Sequence, residues 1–147
     1  MKVTLLQIQD PGAEQVIIEY VRETMDIIDI KNYASSKGTS LTGMIDGRYY
    51  QFGLAEVYYF EAVGEHVFAY TEKKVYELKN RLYELENMYW DKHFLRCSKS
   101  ILLNLMKVES LSPALNGRFT AHLKNKEKVI ISRQYVGILK SAILGGN

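Results

Sequence analysis

From residue 41 to residue 132 the chain is a succession of short apolar or alternating runs, each closed by turn-forming residues. Period-two runs punctuated by Gly, Asn and Asp build antiparallel sheets and leave little chain for helices, so this pattern constrains the fold more than any other feature. Residues 41–45 and 48–52 flank Asp46-Gly47, the dipeptide that suits a two-residue hairpin. Residues 57–60 and 66–71 flank a loop containing Gly64, and residues 74–79 return after Glu72-Lys73. Further strands are expected at 94–97, 107–111, 118–123 and 128–132, with a short helical or irregular turn at 100–105. Leu78, Leu82, Leu85 and Tyr89 mark the inner stripe of a helix reaching about Met88, and a last helical turn covers 133–144.

The first forty residues read differently. Residues 1–9 alternate as a strand does, and Asp10 before Pro11 is an N-cap followed by proline at the first helical position. Ala13, Val16, Ile17, Tyr20, Val21, Thr24, Ile27 and Ile28 recur at helical spacing, so a helix is expected to run from there to a stop before Gly38. Ile18 and Met25 widen its apolar arc beyond what packing on one sheet face needs. The expectation is a helix that covers the domain with one side and mates with a second copy through the other, giving a homodimer on two half-sites. The chain thus divides into a strand-and-helix extension, 1–45, and a β-rich domain, 46–147.

A chain of 147 residues that is 47% hydrophobic can bury a core unaided. The single cysteine, Cys97, excludes an intramolecular disulfide, and no Cys or His spacing suits zinc, so neither metal nor cofactor is expected and the cytoplasm fits best. The start of the chain is too short for a signal h-region, and no run of about eighteen apolar residues exists to span a bilayer. There is no Gly-rich phosphate loop and no nucleophile elbow, and Glu61 and Glu65 stand four apart across a glycine turn, so an enzyme is not expected. Charge is polarised: residues 1–90 carry 9 Lys or Arg against 14 Asp or Glu, whereas residues 91–147 carry 10 against 3. The second part attracts polyanions and the first repels them.

Within the basic part, Arg96-Cys97-Ser98-Lys99-Ser100 precedes Ile101-Leu102-Leu103-Asn104, and about thirty residues later the strand-like Glu127-Lys128-Val129-Ile130-Ile131 runs into Ser132-Arg133-Gln134-Tyr135. With Val57-Tyr58-Tyr59-Phe60-Glu61-Ala62, Phe94-Leu95-Arg96 and Asn116-Gly117-Arg118 in the same order, residues 46–144 resemble the LytTR DNA-binding domain of bacterial transcription regulators, and the whole chain looks like a small subgroup without a receiver domain. The resemblance implies a mostly β fold of elongated antiparallel sheets with few helices that binds double-stranded DNA through loops entering successive major grooves. It implies base contacts at His66, Ser98, Lys99, Arg133 and Gln134, with Asn116 and Arg118 as further DNA-binding positions. One member of the family carries asparagine where Lys99 stands, arginine at Gln134's position and a neutral residue at Arg133's, so the bases recognised are expected to differ. Relatives of this kind also suggest a regulatory membrane protein as a partner.

The side chains have the required chemistry on their own: arginine donates two bonds to guanine O6 and N7, lysine reaches the same atoms or a phosphate, and glutamine pairs with adenine. Structural roles compete with each. Arg133 can cap a helix or pair with Glu61, Lys99 and Gln134 can simply be solvated, His66 can be an ordinary loop imidazole, and Asn104 suits a buried bond holding the turn against Ser100. Cys97 is either a thiol activated by Arg96 and Lys99 or a small core residue. Lys124, Lys126 and Lys128 either meet phosphates or solvate a strand edge. The alternative to duplex recognition is a ligand- or RNA-binding module that stacks on Tyr49, Tyr50, Tyr58, Tyr59 and Phe60.

Overall fold

The computed structural model describes residues 1–10, 13–36 and 38–145. Seven strands, β1 (Ser40–Ile45), β2 (Arg48–Gly53), β3 (Tyr59–Val63), β4 (His66–Tyr70), β5 (Val75–Leu78), β6 (Phe94–Arg96) and β7 (Ile101–Asn104), form one sheet in the order β2-β1-β5-β4-β3-β7-β6. A second sheet orders β8 (Val108–Pro113), β9 (Phe119–Leu123) and β10 (Lys128–Ile131) as β10-β9-β8. Every pairing is antiparallel. The helices are α1 (Met25–Ser36), α2 (Leu82–Tyr89) and α3 (Val136–Leu144). The mostly β, antiparallel class expected from the turn pattern is what forms, and no helix among the described residues is long and apolar enough to cross a membrane.

The large sheet buries both faces. On one, Phe60, Phe94 and Leu102 pack under α2 with Leu82, Leu85 and Tyr89. On the other, Tyr58, Cys97 and Leu103 meet Ala121, Leu123, Val129 and Ile131 of the second sheet and Leu139 of α3. Neighbouring residues therefore enter different cores, Leu102 one and Leu103 the other. This corrects the turn expected at 100–105: a strand covered on both faces reads as an unbroken apolar run and loses its alternation. Leu78 likewise belongs to β5, so the helical stripe begins at Leu82. The Asp46-Gly47 hairpin forms as expected, with φ of 49° and 78°.

The extension departs most from its sequence pattern. Residues 1–9 form no strand, and the helix begins at Met25, where the Thr24 hydroxyl accepts from the Ile27 amide at 3.4 Å. Pro11, part of the expected N-terminus, lies outside the described residues. Ile18 therefore does not share a helix with Met25, and the two-sided helical arc is replaced by a shorter helix that buries Ile27. Helical spacing in 13–24 won no helix because a helix this amphipathic needs a packed face, and of these apolar side chains only Ile18 is half-buried. α1 is held from below by Lys92 Nζ, which donates to Ser35 O at 2.9 Å.

Candidate nucleic-acid interface

Strand pairing decides which loops share an end of the molecule. Glu61 faces Ile101 across β3 and β7, and Arg96 faces Leu102 across β6 and β7, so the β3–β4 turn lies beside the β6–β7 turn, residues 97–100. The Ala62 amide donates to Ser100 O at 2.8 Å and fastens the two. Ile131 faces Phe119, and Phe119 faces Pro113, which puts the 114–118 turn beside the segment following β10. The Ser132 amide then donates to Cys97 O at 2.8 Å, joining the second sheet's loops to those of the first.

Six of the seven expected site residues come together here. Ser98, Lys99, Ser132, Arg133 and Gln134 line one shallow concavity, and Asn116, Arg118, Ser132 and Arg133 line the adjoining one, with Arg133 common to both. Lys99, Arg118, Arg133 and Gln134 are exposed. No carboxylate lines either concavity, so the surface presents three cations with nothing to neutralise them locally. Arg133 makes no ion pair with Glu61, whose carboxylate accepts instead from the Tyr70 hydroxyl at 3.1 Å.

The backbone sets these side chains with local chemistry. Asn116 and Gly117 take positive φ of 61° and 74°, a conformation asparagine and glycine adopt most readily. The missing Cβ of Gly117 matters too: one built there would stand 3.0 Å from Arg133 Cδ, so the arginine stem lies against the bare glycine backbone. Arg118 Nε donates to Leu115 O at 3.1 Å. Arg96, beside Glu86 at 3.3 Å, donates through Nη1 to Lys99 O at 2.5 Å and so ties the Lys99 backbone to α2. The supporting roles of Arg96 and Gly117 were absent from the sequence reading. Of the two, only Gly117 carried a signal, the Asn-Gly turn dipeptide.

His66 stands apart. It begins β4 at the same end of the large sheet but lines a separate cleft with Tyr49, Glu77, Lys79 and Asn80, its Nδ1 2.5 Å from Glu77 Oε1. Lys124 and Lys126 belong to the β9–β10 turn, at the far end of the second sheet from Arg133. Lys126 Nζ lies 3.4 Å from Glu109 there. Asn104 is structural, only 2% exposed, but its partners are not Ser100: Nδ2 donates to Val57 O at 2.7 Å, and Oδ1 accepts from the Met106 amide. Cys97 is fully buried, and burial pushes its thiol up to about 12 against the weaker pull of Arg96. Of the five aromatics offered for stacking, Tyr49 is exposed in the His66 cleft and Tyr50 is half-buried. Phe60 and Tyr58 are core, Tyr59 stacks on Tyr70 at 4.5 Å, and burial raises the Tyr59 phenol well above its usual range.

Among the described residues no group of His, Cys, Asp and Glu could hold a metal ion. The model of the LytTr DNA-binding domain family matches residues 47–144. Uncharacterized HTH-type transcriptional regulators of Staphylococcus aureus are similar in sequence: that of strain NCTC 8325 is 33% identical over 107 residues, 73% of this chain and 72% of its own, and that of strain MRSA252 is 32% identical over the same length. Among solved structures, the LytTr DNA-binding domain of a putative methyl-accepting/DNA response regulator from Bacillus cereus shares the fold, with a TM-score of 0.67 over 73% of this chain and 97% of that one at 22% identity. A helix-turn-helix is not what these elements make, since no two described α-helices follow one another without intervening strands. With two thirds of its length under one family model and that family's fold, the chain belongs to the LytTR DNA-binding domain family.

Proposed function

We propose that this protein is a sequence-specific transcriptional regulator that binds double-stranded DNA in the bacterial cytoplasm, reading the major groove with the loops that carry Lys99, Arg133 and Gln134. The observation that carries this is the fusion of three loops from two sheets into one acid-free surface, joined by the bond from Ser132 to Cys97. Arg133, common to both concavities, and Gln134 have base-edge chemistry, while Lys99 can reach a base or a phosphate and Arg118 suits phosphates. His66, one loop further along, suits an adjoining stretch of the same duplex. The division of labour runs between the extension, 1–45, and the DNA-binding domain, 46–147, with β1 of the extension completing the large sheet. Two copies on repeated half-sites fit a small reader that needs the affinity of a paired site.

Titrating the protein with duplex from its own gene's upstream region and with the same sequence as single-stranded RNA tests this. Duplex is expected to bind more tightly, with log K falling linearly in log salt at a slope of several released counterions. Equal binding to the RNA, or a flat salt dependence, overturns it.

A further inference from the structure

His66 uses one ring nitrogen and leaves the other open. β4 and β5 run antiparallel with Phe68 opposite Glu77, so His66, two residues before Phe68, stands on the same face of the sheet and diagonal to that carboxylate. Glu77 sits between Phe68 on one side and Met44 of β1 on the other, and its side chain is 30% exposed against 64% for His66. The carboxylate is thus the fixed partner and the imidazole the one it holds. Among the described residues Glu77 pairs with no other cation, since the Lys79 ammonium lies over the Tyr49 ring at 5.4 Å. An imidazole that gives its Nδ1–H to a carboxylate has its tautomer and orientation set, and the second nitrogen is left to bind. No bond to Nε2 forms among the described residues.

We propose that Glu77 is a positioning residue for DNA reading: it holds His66 by Nδ1 so that Nε2 meets the duplex as a hydrogen-bond acceptor, suited to the exocyclic amino group of adenine or cytosine. The inference deepens the proposed function and rests on it. Lys99, Arg118 and Arg133 can only donate, so an acceptor one loop along supplies what the three cations lack. In the major groove the donors available to it are adenine N6 and cytosine N4. The charges of the cleft favour a base edge over a phosphate: Glu65 and Glu77 line it with Lys79 and the Tyr49 phenol, two carboxylates against one ammonium. Without Glu77 the neutral ring returns to the Nε2–H form that free imidazole prefers, and the acceptor becomes a donor.

The test compares the full chain with E77A, E77Q, H66A and H66A/E77A at about pH 8.5, where free imidazole is neutral, with circular dichroism to check that each folds. Nitrogen NMR of the His66 ring, identified by the signal that H66A lacks, is expected to show Nδ1 protonated in the wild type and Nε2 protonated in E77A. A wild-type ring protonated at Nε2 overturns the inference. The second readout is the ratio of affinities for preferred and unrelated duplex. H66A and E77A are each expected to lower it about fivefold and the double variant no further, while E77Q, whose amide oxygen also accepts from Nδ1–H, stays near the wild type. Losses that multiply in the double variant, or an E77A ratio as high as the wild type's, overturn the inference. Replacing the contacted base by an analogue without its amino group is expected to cost the wild type the same factor and H66A nothing; equal costs to both overturn the assignment of the base. An H66A ratio equal to the wild type's fells this inference alone, whereas a wild type that binds no duplex fells the proposed function with it.

Discussion

At the scale of single residues, the site rests on a glycine as much as on its cations. Gly117→Ala adds a Cβ 3.0 Å from Arg133 Cδ at a backbone φ of +74°. It is expected to cost about 1–2 kcal/mol of stability and to weaken binding to the preferred duplex by displacing the arginine, which thermal melting and titration measure separately. Cys97 lies under this surface, not on it. Its thiol, pushed up from 9.0 to about 12, stays protonated in the folded protein. Stability from this group is present below the unfolded value and falls as pH rises from about 9 toward 12, because only the unfolded chain then releases the proton. Native protein at pH 8 is expected to react with iodoacetamide far more slowly than urea-unfolded protein, and equal rates would show an accessible thiolate. The sequence marked Arg133, Lys99 and Gln134 as candidate readers because residue type carries the chemistry, and the fold brings the three to one concavity. It concealed the partners of Asn104, since Val57 lies 47 positions away and only β3 pairing with β7 brings its carbonyl close.

Elements were legible where one face meets water. The 41–52 hairpin, α2 and β9 follow their alternation or stripe, with turn residues where the chain reverses. β7 was not legible, because burial on both faces replaces alternation by Ile-Leu-Leu. The extension misled for the opposite reason: Val16, Ile17, Tyr20 and Val21 have helical spacing, yet all four remain more than half exposed. A further element-scale constraint sits in β1. A Cβ on Gly43 would meet Tyr76 Cβ at 2.6 Å and Phe52 Cε1 at 3.0 Å, beside rings already stacked at 4.1 Å. Gly43→Ala is thus expected to destabilise by about 1–3 kcal/mol, read as a lowered urea midpoint at unchanged slope.

For the whole molecule, the sequence's division of charge becomes a division of space only in part. Lys99, Arg118 and Arg133 share one end of the two sheets, whereas Lys124 and Lys126 sit in the β9–β10 turn at the far end of the second sheet and α1 packs at the other end of the large one. The central claim is that the Arg133 end reads bases rather than merely attracting phosphate. The most direct measurement is the affinity of Arg133→Ala for the preferred duplex and for unrelated duplex of the same length, at one salt concentration, with Lys124→Ala as the control from the far turn. Arg133→Ala is expected to lose about 1–3 kcal/mol on the preferred duplex and little on the unrelated one, shrinking the ratio between them, while Lys124→Ala leaves that ratio unchanged. Equal losses of Arg133→Ala on both duplexes, with the ratio intact, would contradict base reading by this surface.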